Sequence, residues 1–116
     1  MDAEKVPTMK GLTSGRIVHY VTSEQDEEQV NRRRTDPHTI IQRMENGSWH
    51  EGAQAHIGNP ASYMDHLPMV ITRVWDYYSG VINGQVFLDG NDTLWVTSVP
   101  YSEGKLPRTW HWIEQA

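Results

Sequence analysis

Between residues 69 and 99 the chain sets down three runs of β-branched and aromatic residues with only two short turns between them. Met69 to Trp75, Val81 to Leu88 and Leu94 to Val99 are parted by Asp76 to Gly80 and by Asp89-Gly90-Asn91-Asp92. Connections this short reverse a strand onto its neighbour and cannot carry the crossover that a parallel pairing requires. An antiparallel meander is therefore predicted for the middle of the chain. Arg16 to Val21, with both faces apolar, predicts an earlier strand. Thr109 to Ile113, after the Gly- and Pro-punctuated loop Pro100 to Pro107, predicts a last one with both Trp rings on one face.

Helix signals lie between the first strand and the meander. Thr22 to Gln25 reads as a capping box, with Glu24, Asp26, Glu27 and Glu28 in the first turns and Arg32, Arg33 and Arg34 in the last, so both ends complement the helix dipole. Asp36-Pro37 starts a second helix, with Asp36 as N-cap and Ile40, Ile41 and Met44 as its apolar stripe, and Asn46-Gly47 stops it. Ser48 to Leu67 is irregular and rich in Gly, His and Asn, with Gln54 to Ile57 as its candidate strand. The expected architecture is α+β: a small antiparallel β-sheet or partly open barrel of about five strands, with two consecutive helices inserted after the first strand. Residues 1–14 are expected to be a flexible leader and 15–116 a single ligand-binding domain.

Composition narrows the function classes. At 116 residues the chain suits one domain that buries roughly two-thirds of its unfolded surface, a thin core that oligomerisation would support. A formal charge of −5 argues against binding a nucleic acid polymer through a basic face. With no cysteine there is no disulfide framework and no thiolate chemistry. No apolar run approaches the roughly 20 residues of a membrane span, and MDAEKVPTMK lacks a signal-peptide core, so no membrane partner and an intracellular location are expected.

The candidate chemistry is that of a binding site. Asn31-Arg32-Arg33-Arg34 concentrates guanidinium forks suited to phosphate or carboxylate, although a basic helix end facing acidic residues is also what a solvated, dipole-compensated surface looks like. Trp49, Trp75, Tyr77, Tyr78, Trp95, Trp110 and Trp112 exceed what a small core needs, and rings near Asn91, Asp92 and Arg108 are suited to sandwiching a flat base. Six His residues include His50 and His56 in one loop and Asp65-His66 behind, but no metal-ligand signature appears and no metal is expected. Neither a nucleophile elbow nor a phosphate loop is present. The pattern favours binding without turnover and without a cofactor.

Three segments in order, Gly15 to Val21 (GRIVHYV), Asn31 to Asp36 (NRRRTD) and Gly52 to Asn59 (GAQAHIGN), resemble a family of small phage and prophage proteins. Val81 to Asp92 (VINGQVFLDGND), Trp95 to Val99 and Thr109 to Trp112 extend the likeness over residues 15 to 113. The chain resembles the first-described family of Thoeris anti-defence proteins. That resemblance implies a sponge: a protein that captures the cyclic ADP-ribose isomer made by the Thoeris TIR enzyme and does not degrade it. It further implies a homodimer assembling to a hexamer, acting in the host bacterial cytoplasm during infection or from a prophage, with cyclic di- or trinucleotides captured at a separate site.

Carried onto this chain, the cyclic ADP-ribose site would use Asn91, Asp92 and Arg108, with Arg108 on the diphosphate and a ring from Trp75, Tyr77, Tyr78, Phe87 or Trp110 against the base. The cyclic-oligonucleotide site would use Arg32, Arg33, His56 and Gly58. Two other classes compete. One is a hydrolase of a nucleotide signal with Asp92 or a His as base; the other is a small phage protein that inhibits a host enzyme through a Trp-rich contact surface.

Overall fold

The computed structural model describes residues 8–34, 37–48 and 55–114. Its elements run β1 (Ile17–Val21), α1 (Glu24–Arg33), α2 (Pro37–Glu45), β2 (His66–Asp76), β3 (Val81–Phe87), β4 (Thr93–Val99) and β5 (Thr109–His111). The five strands form one antiparallel sheet in the order β4-β3-β2-β1-β5, so the predicted meander is its larger half. The sheet curls into a half-barrel: just past β4, Tyr101 bridges to Trp110 of β5, bringing the chain beyond one edge against the opposite edge.

Alternation sorts each strand into two faces. Val18 and Tyr20 of β1, Met69 and Ile71 of β2, Val86 of β3 and Leu94 and Val96 of β4 turn inward and are buried. Register shifts break the pairing between Ile71 and Arg73 and between Ile82 and Gly84. Asn83 fills the second irregularity, accepting from Trp75 Nε1 at 2.8 Å and from the Ser98 amide at 2.9 Å. Such shifts bend and twist a strand locally, which suits a sheet that must curl.

Trp110 is wholly buried and donates to Gly80 O at 2.6 Å. Trp112 meets it edge to face with ring centroids 4.9 Å apart, so the two rings do share a face, although the ordered strand stops at His111. The segment before Gly15, expected as flexible leader, is part of the fold from residue 8 onward. Leu12 is buried in the core, the Met9 amide donates to Tyr77 O and Ser14 Oγ donates to Thr72 O. An apolar Leu and main-chain partners on the sheet hold a stretch that has no periodicity of its own.

α1 begins one residue later than the sequence suggested. Ser23 is its N-cap and Asp26 closes the capping box, because Thr22 is fully buried and its hydroxyl is already committed to Ser62 O at 2.6 Å. Asp26 does more than cap: its carboxylate accepts from Tyr20 Oη at 2.5 Å and from the Ser23 amide at 2.9 Å, tying α1 to the centre of β1. Val30 inserts into the core one turn on. α2 has the predicted span and ends before Gly47, whose φ of +75° only glycine adopts freely. Ile41 and Met44 of its apolar stripe face solvent. The proposed cap Asp36 lies outside the described residues, as do Trp49 and Gln54.

Candidate functional site

The chain returns from α1 to the sheet through two polar arrangements, and the sequence-predicted residues divide between them. The first surrounds Asp92 in the turn before β4. Its side chain is almost wholly buried and accepts two hydrogen bonds from Arg34 Nη1, at 2.8 and 2.9 Å, while Arg33 Nε lies 3.2 Å away and His56 Nδ1 3.4 Å away. Helix α1 ends here, so consecutive arginines at its C-terminus leave the helical spiral in different directions. Arg33 and Arg34 turn to Asp92, whereas Arg32 points outward and pairs with Glu28, both ends well exposed.

The loop that carries His56 is laced along the Asp89–Asp92 turn. Asn91 Nδ2 donates to Ala55 O at 3.0 Å and its Oδ1 accepts from the Ile57 amide at 3.0 Å. Asn59 donates to Asp89 Oδ2 at 2.7 Å, and Arg34 Nε donates to Asn59 O at 3.0 Å. Gly58 and Gly90 bridge backbone to backbone so closely that a Cβ on Gly58 would lie 2.5 Å from Asp89 O and from Gly90 Cα. The candidate strand at Gln54 to Ile57 is thus, over its described part, a single isolated bridge from His56 to Arg34, and the Gly58 to Gly90 bridge follows just beyond it. Asn91 and Asp92 are engaged in fastening this loop.

The second arrangement is an open cleft of about 250 Å³ between α1 and β4, lined by Gln25, Asp26 and Gln29 on one side, Leu94 to Thr97 on the other, and Arg108. It continues along α1 past Glu28 to Arg32. β4 is an edge strand, and its carbonyls at Thr93 and Thr97 are capped by arginines: Arg33 Nη2 donates to the first at 2.9 Å and Arg108 Nη2 to the second at 3.2 Å. Strand alternation places the peptide groups of Trp95 on that same free edge, between the two guanidinium groups. The Trp95 ring itself is 63% exposed. Arg108 sits in left-handed backbone at φ +60°, with its amide fixed on Val21 O at 2.8 Å. The main chain therefore aims the side chain, and the guanidinium keeps donors to spare.

Behind the cleft, the Tyr20 hydroxyl has its pKa pushed up, first by burial and then by its hydrogen bond to Asp26, with Arg108 pulling weakly the other way. The phenol stays protonated and donating at any physiological pH, which keeps the Asp26 carboxylate in place as the cleft's acidic wall.

The expected base-stacking group is dispersed. Trp110 belongs to the core and does not line the α1–β4 cleft; a ring filling a core cannot also open to a ligand. Trp75 lies under Arg73, whose guanidinium carbon is 4.4 Å from the ring centroid, and bonds to Asn83. Tyr77 and Tyr78 project from the β2–β3 turn and Phe87 from the end of β3, all exposed, and none of them lines the cleft. Arg108 and Asp92 are not neighbours either: Arg108 binds Thr97, five residues along β4 from Asp92, a strand distance of about 16 Å. Gln25 and Gln29 were missed, and Trp95, counted among the surplus aromatics, was assigned to neither site. The helical spacing of Gln25 and Gln29 put them on one face, but nothing in the sequence paired that face with β4.

No protein-family model, no curated protein and no solved structure matches the chain. Among the described residues, no helix is long and apolar enough to cross a membrane.

Proposed function

We propose that this chain binds and sequesters a small cyclic nucleotide signal, a cyclic ADP-ribose isomer of the Thoeris type, and releases it unaltered. The observation that carries the reading is Arg108, aimed by its own backbone into a polar cleft beside an exposed indole, two glutamines and the free edge of β4. Each part answers a part of such a ligand. A guanidinium fork suits a diphosphate, an indole stacks on adenine, and the side-by-side N–H and C=O of a strand edge suit its polar rim. In this reading Trp95 takes the stacking role in place of Trp75, Tyr77, Tyr78, Phe87 and Trp110, and Arg108 keeps the diphosphate.

Turnover with Asp92 as the base is disfavoured by the state of that carboxylate. Two guanidinium groups occupy the oxygens of the carboxylate that a hydrolase would need as its base. Cyclic di- or trinucleotides would use the other arrangement, where Arg33, His56 and Gly58 stand together and Arg32 lies on the exposed flank of α1. A homodimer extending to a hexamer would cover Ile41 and Met44, which an isolated protomer leaves in water. The setting is the host bacterial cytoplasm during phage infection or from a prophage. A specific observation favours a second reading, inhibition of a host enzyme by protein contact: Trp75, Tyr77 and Tyr78 stand exposed at one end of the sheet.

Equilibrium titration of the purified protein with a cyclic ADP-ribose isomer separates these readings. A sponge must hold a signal below an effector's threshold, so a nanomolar dissociation constant, about −12 kcal/mol, is expected. Absence of binding at micromolar ligand would sink the proposal and leave the aromatic surface as the functional one.

A further inference from the structure

On the face of the sheet away from the core, strand register assembles a group of side chains that no spacing in the sequence announces. His19 of β1 and His111 of β5 are direct cross-strand partners, with ring centroids 5.7 Å apart. His66, at the start of β2, leans across from the other side of β1 to within 4.9 Å of the His111 ring. Glu114, three residues past His111, brings Oε1 to 2.8 Å from His111 Nε2 and 2.9 Å from His66 Nδ1. One ligand atom each from His19, His111 and Glu114 lies within 4.8 Å of the others.

The polar atoms of this group are poorly satisfied by one another. His111 is 3% exposed, yet neither of its ring nitrogens makes an aligned hydrogen bond among the described residues; the close approach of Nε2 to Glu114 has the distance of one without its geometry. The Nδ1 of His19 is likewise buried without a partner. Unpaired buried nitrogens are expensive, and one nitrogen from each of two histidines beside a carboxylate calls for a common partner.

We propose that His19, His111 and Glu114 ligate a single divalent transition-metal ion of the zinc class, with His66 holding the Glu114 carboxylate in orientation from outside the coordination sphere. Two imidazoles and one carboxylate select Zn²⁺ or Co²⁺ over Mg²⁺ or Ca²⁺, which prefer all-oxygen shells. Three protein ligands leave a fourth position for water. Lys105, whose ammonium lies 3.3 Å from Glu114 and is 42% exposed, has room to swing into solvent when a cation arrives. The ion would fasten β1, β5 and the chain beyond β5, and this surface is separate from the residues that line the α1–β4 cleft.

The test uses the full chain without a polyhistidine tag, stripped of metal by a chelator and titrated with Zn²⁺ against a chromophoric competitor, then with Co²⁺ by visible absorption. One equivalent bound per chain, the intense Co²⁺ bands of low coordination and a rise in melting temperature with Zn²⁺ are expected. Glu114→Gln, on an exposed side chain that the fold does not need, and His111→Gln should each weaken Zn²⁺ at least about 10-fold. His38→Gln on α2 should leave it unchanged. Binding weaker than about 0.1 mM, or binding that survives both Glu114→Gln and His111→Gln, would overturn the proposal.

Discussion

Asp92→Ala is expected to lower stability by about 2–3 kcal/mol, read as a fall of about 10 °C in melting temperature. The carboxylate is almost wholly buried and serves Arg34 through both oxygens, with Arg33 and His56 beside it. Removing it leaves a largely buried guanidinium, Arg34, facing an apolar methyl, and the penalty is mostly that uncompensated charge. The value is set below that of a fully buried pair because Arg33 retains contact with water. Asp92→Asn keeps one acceptor oxygen and should recover about half of the loss. Because Arg34 also fixes Asn59, the loop of residues 55 to 59 should loosen first, seen as faster amide exchange at Ile57, Asn59 and Asn91. A change under about 0.5 kcal/mol would show that the cluster is a solvated surface rather than a clamp.

Arg108→Ala is expected to weaken capture of a cyclic ADP-ribose isomer by at least about 30-fold while changing stability by less than about 1 kcal/mol. The separation follows from how the residue is held. Its structural work is done by the main chain, through the amide on Val21 O and the left-handed turn, and alanine at φ +60° has the same backbone preference as arginine. The side chain donates to Thr97 O, interacts weakly with the Tyr20 hydroxyl and is otherwise exposed. A diphosphate buried against it would lose its principal counter-charge. Arg43→Ala, which removes an exposed charge from α2, serves as the charge-matched control and should bind as the parent does. If Arg108→Ala binds at parental strength, the α1–β4 cleft is not the site.

The strands were legible because β-branched and aromatic runs between short turns leave little freedom, whereas the register shifts that let the sheet curl have no local signal. The turn at Thr22-Ser23 was not, since Thr22-x-x-Gln25 and Ser23-x-x-Asp26 are equally good local boxes. Only the tertiary use of the Thr22 hydroxyl decides between them. Aromatic content misled in a specific way. A Trp in a strand can point to either face: Trp110, between Thr109 and His111, is the centre of the core, and Trp95, between the inward-facing Leu94 and Val96, is open to solvent. Arg108 could be singled out by its charge, yet its partner face on α1 depends on how that helix crosses the open side of the sheet. The histidine cluster was illegible for the same kind of reason: positions 19, 66 and 111 become neighbours only through the pairing of β1 with both β2 and β5.

The central claim is capture without chemistry, and one measurement addresses it directly. The purified protein is mixed with a substoichiometric cyclic ADP-ribose isomer and passed through a filter that retains protein. The retained fraction is then heat-denatured and the released small molecules are separated on a column. The account predicts that the ligand disappears from the filtrate and returns intact and in full on denaturation. Ligand left in the filtrate, or returned as a cleaved product, would contradict it.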